Sequence, residues 1–455
     1  MLLEAIESWH DLLTDETAQE SHAQLEAQLR RRGLFFGDRP LCTVLRPRFF
    51  TADQYRILQD DCAATLSAFR TAHAAALADP RVLDQFGLEP WERTLLDAHT
   101  GFREPSPVSR LDAFFVDEGR SVRFTEYNAE TPAGSAYNDV LAEVFFALPI
   151  MREFLRRWDV RPIPARHHVL HALLGAYRQW AVARGADPKR LPRIAIVDWR
   201  EVPTWSEFLL FQDYFTRQGL DCVLADPRSL SFTNGRLLTD DGKPIDLVYK
   251  RVLLNELYER DGLDGAVLSA VRAGAVCMVN PPACKILHKK SSLAVLSDEQ
   301  NAHLFDRAQL AAIARHIPWT RVVESRRTTA DGRTVDLLAH ISGHKDELVL
   351  KPHDDYGGAG IVLGWEVDQT AWDAAIRAAL DKPYIVQQRI PLPKEPYPTL
   401  VDGKPVLLDR MVDTAPYVAY GAHVDGCLTR LSTASLLNVT HGGGSQTPTF
   451  LVERR

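Results

Sequence analysis

The stretch RLDAFFVDEGRSVRFTEYNAETPAGSAY, residues 110–137, decides the fold. Its first part alternates loosely and runs into Asp117-Glu118-Gly119, and its second starts again as a strand until Pro132 and Gly134 break it. This pattern predicts two antiparallel strands joined at 117–120, with Asp112 beside Glu126 and Asn128. Those last two are separated by one residue, so the period of a strand puts both on one face, with Phe124 and Tyr127 on the other. Carboxylates plus an amide form a hard-oxygen set of the kind Mg²⁺ takes. The same spacing also suits a solvated hairpin edge, so its meaning depends on what accompanies it.

Outward from the hairpin, Leu141, Val144, Phe145, Leu148 and Met151 form the apolar stripe of a helix expected over 138–157. RPIP at 161–164 marks a boundary. Beyond it a helix ends at Gly185, and strand 193–199, a helix closing at Gly219, strand 220–226 and strand 245–251 follow. Strand, helix and strand in about 35 residues read as a right-handed βαβ unit, which makes 161–285 an open α/β domain with a ligand expected at its strand ends, Trp199–Arg200 and Lys250–Arg251. Residues 1–100 read as a helical region, where Tyr55, Leu58, Cys62, Leu66 and Phe69 share one helix face, Asp53 is the expected cap and Asp79-Pro80 the stop. Residues 286–455 are α+β, with strands at 347–352, 361–365 and 384–390, a helix at 370–381, a hairpin about 401–403, and strands VLLDRMV and APYVAYGAHVDG after it.

Apolar residues at 45% and charged residues at 25% of 455 describe a multidomain globular chain and exclude a disordered or fibrous one. The net charge of −7 argues against a general nucleic-acid wrap and leaves a small anionic ligand open. Six scattered cysteines without a CxxC pair read as core thiols in a reducing compartment. The start MLLEAIESWHDLL, interrupted by Glu4, Glu7 and Asp11, reads as an amphipathic helix. No uncharged apolar run approaches the roughly 18 residues that a bilayer requires, so a cytoplasmic protein without membrane contact is expected.

KPHDDYGGAGIVLG, 351–364, sets Gly357, Gly358 and Gly360 between two strands, where backbone N–H groups can converge on phosphate oxygens. It is not a P-loop, since no GKS or GKT follows, and alone it is equally an ordinary hairpin turn. Lys351 ends the strand before it, and KILHKKSSLAVLSDE, 285–299, brings Lys289 and Lys290 ahead of a helix; these lysines suit phosphate neutralisation. Gln387, Gln388 and Arg389 lie where a hinge can read an adenine edge.

Taken together, RLDAFFVDEGRSVRFTEYNAETPAGSAY, NPPACKILHKKSSLAVL and KPHDDYGGAGIVLG resemble the circularly permuted ATP-grasp proteins, the glutathionylspermidine synthase group and its bacterial relatives. Carboxylates ahead of lysines and glycines is the order a permutation produces. The resemblance covers about 105–455 and implies a permuted ATP-grasp fold with its metal corner in 101–160, a substrate-side α/β domain in 161–285 and a nucleotide region in 286–455. It implies Mg²⁺ on Asp112, Glu126 and Asn128, Arg110 facing an acyl phosphate or substrate carboxylate, Lys290 (Lys289 in the alternative register) and Lys351 on nucleotide, and 351–364 as the phosphate loop. Thr131, Ser135 and Tyr137 fall in the family's substrate loop, and Arg410, Arg430 and Gly442–Gly444 in its closing segment. The implied activity is an ATP-dependent ligase joining a small-molecule acid and an amine. A phosphotransferase and a noncatalytic nucleotide-binding scaffold remain the alternatives.

Overall fold

In the computed structural model, which describes residues 1–96, 101–354, 359–433 and 444–455, the strands Val108–Val116 and Ser121–Asn128 form the expected hairpin. A one-turn helix, Asp117–Gly119, joins them, with Asp117 and Gly119 both at positive φ. Arg110 pairs with Asn128 and Asp112 with Glu126, but Ala113 pairs with Phe124, so Thr125 is the extra residue of a bulge. Strict alternation would put Phe124 and Glu126 on one face. The bulge separates them, and Phe124 and Tyr127 both enter the core while Glu126 and Asn128 line a cavity.

The hairpin is one side of a seven-stranded sheet. Its order is Lys394–Val401, Lys404–Val412, His423–Ser432, Ala415–Ala419, Val108–Val116 and Ser121–Asn128, with Ser445–Thr447 also paired to His423–Ser432. The segment expected as one strand over 415–426 is two, because the chain turns at Tyr420 and Gly421, both at positive φ. Facing this sheet is a four-stranded antiparallel one, Thr320–Val322, Tyr384–Gln388, Leu348–Pro352 and Val362–Leu363, whose Leu350 and Val386 pack on Trp372 and Ile376 of the helix Gln369–Asp381. The strand expected over 361–365 shortens to two residues, because the backbone coils into a one-turn helix at Gly364–Glu366.

Residues 161–285 contain the parallel sheet the sequence predicts, ordered Cys277–Val279, Leu247–Lys250, Ile194–Val197, Cys222–Ala225. The helix expected over 138–157 is two, Ser135–Ala147 and Pro149–Phe154, followed by the strand Trp158–Pro162. Leu148 precedes a proline and sits in the extended region, which stops the first helix. The N-terminal part is bound into the rest. Helix Ala52–Ala78 buries Leu58, Cys62, Leu66 and Phe69 in the same cluster as Leu111, Phe124 and Tyr127 of the hairpin, about 1.5–3 kcal/mol for each large apolar side chain. Its cap is Thr51 rather than Asp53: Thr51 and Gln54 form a reciprocal capping box, and Asp53 lies in the first turn paired with Arg56. The helix stops at Asp79, which caps the next helix, beginning with Pro80. Strand Arg48–Phe50 pairs in parallel with Thr449–Arg454, so the two ends of the chain share a sheet. None of the six cysteines is in a disulfide, and no helix among the described residues is long and apolar enough to cross a membrane.

The parts meet at a buried ionic cluster. Glu130, just after the hairpin, accepts from Lys250 Nζ at 2.9 Å, from the Leu254 N–H at 2.7 Å and from Lys285 Nζ at 3.2 Å. Lys285 also reaches Asp354 at 2.7 Å, and Lys289 pairs with Glu92 at 2.7 Å and Asp354 at 3.3 Å. Three ammonium groups face three carboxylates. Against burial, which pushes it up, Lys250 and Lys285 hold the Glu130 carboxyl well below the usual range. Removing one partner of such a cluster strands the others without water, at a cost of about 3–5 kcal/mol. Glu130→Gln should therefore lower the urea midpoint and destabilise the chain by about that amount, whereas Arg161→Gln, which loses only the exposed pair with Glu453, should change it by less than about 1 kcal/mol.

Candidate active site

A cavity of about 550 Å³ opens where the polar face of the hairpin, the four-stranded sheet and the carboxyl ends of the parallel strands converge. The hairpin contributes Arg110, Asp112, Glu126 and Asn128, the four-stranded sheet Lys351, Gln387 and Gln388, the parallel sheet Asp198 and Arg251, and the late strands Asp413 and Arg430. Of the strand-end residues expected there, Arg251 lines the cavity; Trp199, Arg200 and Lys250 do not, Lys250 being turned into the ionic cluster. Thr131 and Tyr137 line it and Ser135 does not. Arg410 also lies off it, donating to Thr399 Oγ1 at 3.2 Å.

Asp112 is clamped by two arginines. Arg110 donates to it from Nε at 2.7 Å and from Nη2 at 3.2 Å, and Arg430 donates from Nη2 at 2.7 Å. Arg430 also donates to Asp413 from Nε at 2.5 Å and from its backbone N–H at 2.6 Å. Although burial works against it, Arg110 and Arg430 hold Asp112 far below the ordinary carboxylate range. Burial pushes Asp413 up despite Arg430. Asp413 was not legible beforehand. It follows the strand Lys404–Val412, and only the approach of His423–Ser432, with the Asp413 N–H donating to Arg430 O at 3.1 Å, brings it to the corner.

The two lysine registers separate. Lys289 is buried in the ionic cluster, whereas Lys290, itself buried and not a lining residue of the cavity, has its Nζ 3.3 Å from Oε1 of Glu126, which does line it. Lys351 donates to Gln387 Oε1 at 2.7 Å and to the bulged Thr125 carbonyl at 3.3 Å, both neutral. Among the described residues no carboxylate pairs with it. Burial lowers it to about 8, with Glu126 pulling up and Lys290 down. A half-buried cation short of negative partners is what an anionic ligand completes. Gln387 has both ends of its amide engaged, since Nε2 donates to Thr320 Oγ1 at 3.1 Å; Gln388 is exposed at the cavity. Gly360 has φ 69° and its carbonyl accepts from Tyr384 Oη at 3.2 Å; Gly357 and Gly358, like Gly442 and Gly443, lie outside the described residues.

The donors also suit a hard divalent cation in part. Glu126 and Asn128 present a carboxylate and an amide oxygen from one strand face. Asp112 can join them through Oδ1, which accepts one hydrogen bond, from Arg110 Nε, and keeps a lone pair, whereas Oδ2 accepts two. Among the described residues no three His, Cys, Asp or Glu side chains gather into a metal-holding group. His288, which the sequence gave no reason to select, also lines the cavity, and burial lowers it to about 4, so its imidazole is neutral.

The Lys351 ammonium is protonated below about 8, and a bound diphosphate favours the protonated form. Affinity for ADP should therefore fall as the pH rises through about 8. Calorimetric titration of Lys351→Met should show weaker binding, about tenfold or more, and no such fall.

A Frankia alni protein with the provisional name glutamate–cysteine ligase 2-3 is 28% identical across 95% of this chain, which covers 50% of that protein. An uncharacterized Mycobacterium bovis protein is 26% identical across 74% of this chain and 59% of its own length. The chain thus spans 50% and 59% of the length of these two relatives. The structure of a glutathione synthetase-like effector from Globodera pallida superposes with a TM-score of 0.62, covering 96% of this chain and 98% of that one at 12% identity, a likeness of fold. Residues 115–432, from within the hairpin to the end of the strand that supplies Arg430, match the circularly permuted ATP-grasp type 2 family, and the chain belongs to that family.

Proposed function

We propose that the protein is an ATP-dependent ligase that joins a carboxylic acid to an amine. The observation that carries this reading is that one cavity is lined both by a half-buried lysine, which has no carboxylate partner among the described residues, and by a corner of two arginines on Asp112. Lys351 and Lys290 would meet nucleotide phosphates, Gln388 and the neighbouring backbone an adenine edge, and Gly357, Gly358 and Gly360 belong to the segment assigned to the phosphates. A substrate carboxylate beside Arg110 would attack the γ-phosphorus, breaking its bond to ADP and giving an acyl phosphate. The amine then attacks that carbonyl, phosphate leaves, and the amide forms with loss of a proton. Arg110 and Arg430 stand where negative charge develops, and their positions, fixed before the reaction by Asp112 and Asp413, cost no reorganisation during it. Mg²⁺, held by Glu126, Asn128 and the free lone pair of Asp112 Oδ1, would supply charge neutralisation on the phosphates.

The name of the Frankia alni relative is of this reaction class. The acid and the amine are small molecules in this reading; an amino acid or a short peptide fits a cavity of about 550 Å³. The alternatives separate by product, since a phosphotransferase turns over with one acceptor and retains the phosphate on it, and a scaffold binds nucleotide without releasing phosphate.

A screen of amino acids, small peptides and polyamines taken singly and in pairs should yield ADP and phosphate only when an acid and an amine are both present. With a productive pair, Glu126→Gln and Asn128→Ala should each lose magnesium-dependent turnover by about a hundredfold or more, Asn128→Ala with nucleotide-free melting within a degree or two of wild type. AMP and pyrophosphate as products, or full turnover in both variants, would overturn the reading.

A further inference from the structure

The cavity wall made by the parallel sheet carries charges that phosphate chemistry leaves unused. Asp198 and Arg251 follow the ends of neighbouring strands, Ile194–Val197 and Leu247–Lys250, and the Arg251 N–H donates to Val197 O at 2.9 Å. Glu256, in the first turn of helix Leu254–Asp261, is held by Trp199 Nε1 at 2.9 Å. All three line the cavity.

Arg251 is 5% exposed, and its guanidinium is short of acceptors. Nη1 donates to Pro132 O at 2.5 Å, Nη2 is 3.9 Å from Glu207, and Nε has no hydrogen-bond partner among the described residues. Asp198, equally buried, accepts from the Trp199 N–H at 2.8 Å and forms no ion pair among the described residues, with Arg251 or any other cation. Burial pushes its carboxyl up to about 7; the Trp199 N–H and Arg251 pull it down and Glu256 pushes it further up. A cation whose carboxylate partner, Glu207, stands off at 3.9 Å thus shares one wall with two further carboxylates, one of them without an ion pair among the described residues.

We propose that this wall binds the head of an α-amino acid, with its carboxylate on Arg251 and its ammonium between Asp198 and Glu256. An ammonium held by carboxylates is not a nucleophile, and a carboxylate on Arg251 is not at the Arg110 corner, so the group that reacts belongs to the side chain. The reach is short, because Arg251 donates to Pro132 O and Arg110 to Ala133 O at 2.8 Å, the carbonyls of consecutive residues. The substrate class is therefore an amino acid with a carboxylate or an amine at the end of a side chain a few carbons long. This rests on the ligase reading for the fate of the side chain and not for the binding of the head. Polar groups that are left unpaired by a truncated analogue are what make such a site selective.

Calorimetric titration of the full chain, with and without Mg-ADP, tests it. The probes are glutamate with glutarate and 4-aminobutyrate, and lysine with 6-aminohexanoate and cadaverine, so that each amino acid is compared with analogues lacking only its α-ammonium or only its α-carboxylate. At least one complete amino acid should bind about tenfold or more tighter than both of its analogues. Asp198→Asn and Glu256→Gln should erase the preference over the deaminated analogue, and Arg251→Met the preference over the decarboxylated one, each with ADP affinity unchanged. Should Arg251→Met fail to fold, Glu256→Gln, at a half-buried position, carries the comparison. Equal binding of the analogues, binding of neither amino acid, or variants that keep the preference would overturn the inference. Selective amino-acid binding without ADP binding would sustain it and remove the ligase reading; ADP binding without amino-acid binding would do the reverse.

Discussion

Glu130 has no exposed side-chain surface and neutralises Lys250 of the parallel sheet and Lys285 of the helical segment that precedes Lys290. Burying one such charge is prohibitive unless partners and hydrogen bonds are supplied together, which forces the end of the hairpin, the parallel sheet, Glu92 of the N-terminal region and Asp354 ahead of the glycine segment to assemble as a set. Asn280 adds to this junction, donating to Val108, Ala129 and Glu130 carbonyls and accepting from the Val108 N–H. The cavity is enclosed by the elements that this cluster draws together. Its dimensions are therefore tied to an electrostatic constraint lying outside it.

The site itself divides into a rigid and an incomplete part. At the Asp112 corner every oxygen of that carboxylate already has a donor, and Asp413 fixes Arg430 from behind. Lys351, half-buried, and Arg251, buried, are by contrast cations whose direct contacts are mainly neutral. Rigid, satisfied pairs position; under-satisfied groups bind. The family, the cavity and this contrast between its walls together bear on the ligase reading.

Much of this was legible in the sequence because it is local. The hairpin follows from alternation and a DEG turn, and the parallel sheet from apolar runs separated by amphipathic helices. The permuted order could be read from where the carboxylates, lysines and glycines stand in the chain. What escaped was either a choice between neighbouring signals or a product of distant pairing. Thr51-x-x-Gln54 is a capping box visible in the sequence, yet Asp53 beside it is an equally good cap by type alone. Pro149 splits a helix whose apolar stripe continues through it. The Thr125 bulge, the Asp413–Arg430 pair and the use of Asp198 rather than Trp199 depend on register and on what packs opposite, and no spacing along the chain encodes them.

The permuted order also bears on synthesis. The strand Val108–Val116 pairs on one side with Ser121–Asn128, which follows at once, and on the other with Ala415–Ala419, about 300 residues later. At roughly 5–20 residues per second, the ribosome takes about 15–60 s to deliver that second partner. Throughout this interval Val108, Ser109 and Arg110 belong to an open β edge, the kind of surface on which other chains can nucleate pairing. The nascent chain therefore carries an open edge while the hairpin waits for its missing neighbour, and Arg110 puts a charge on that edge.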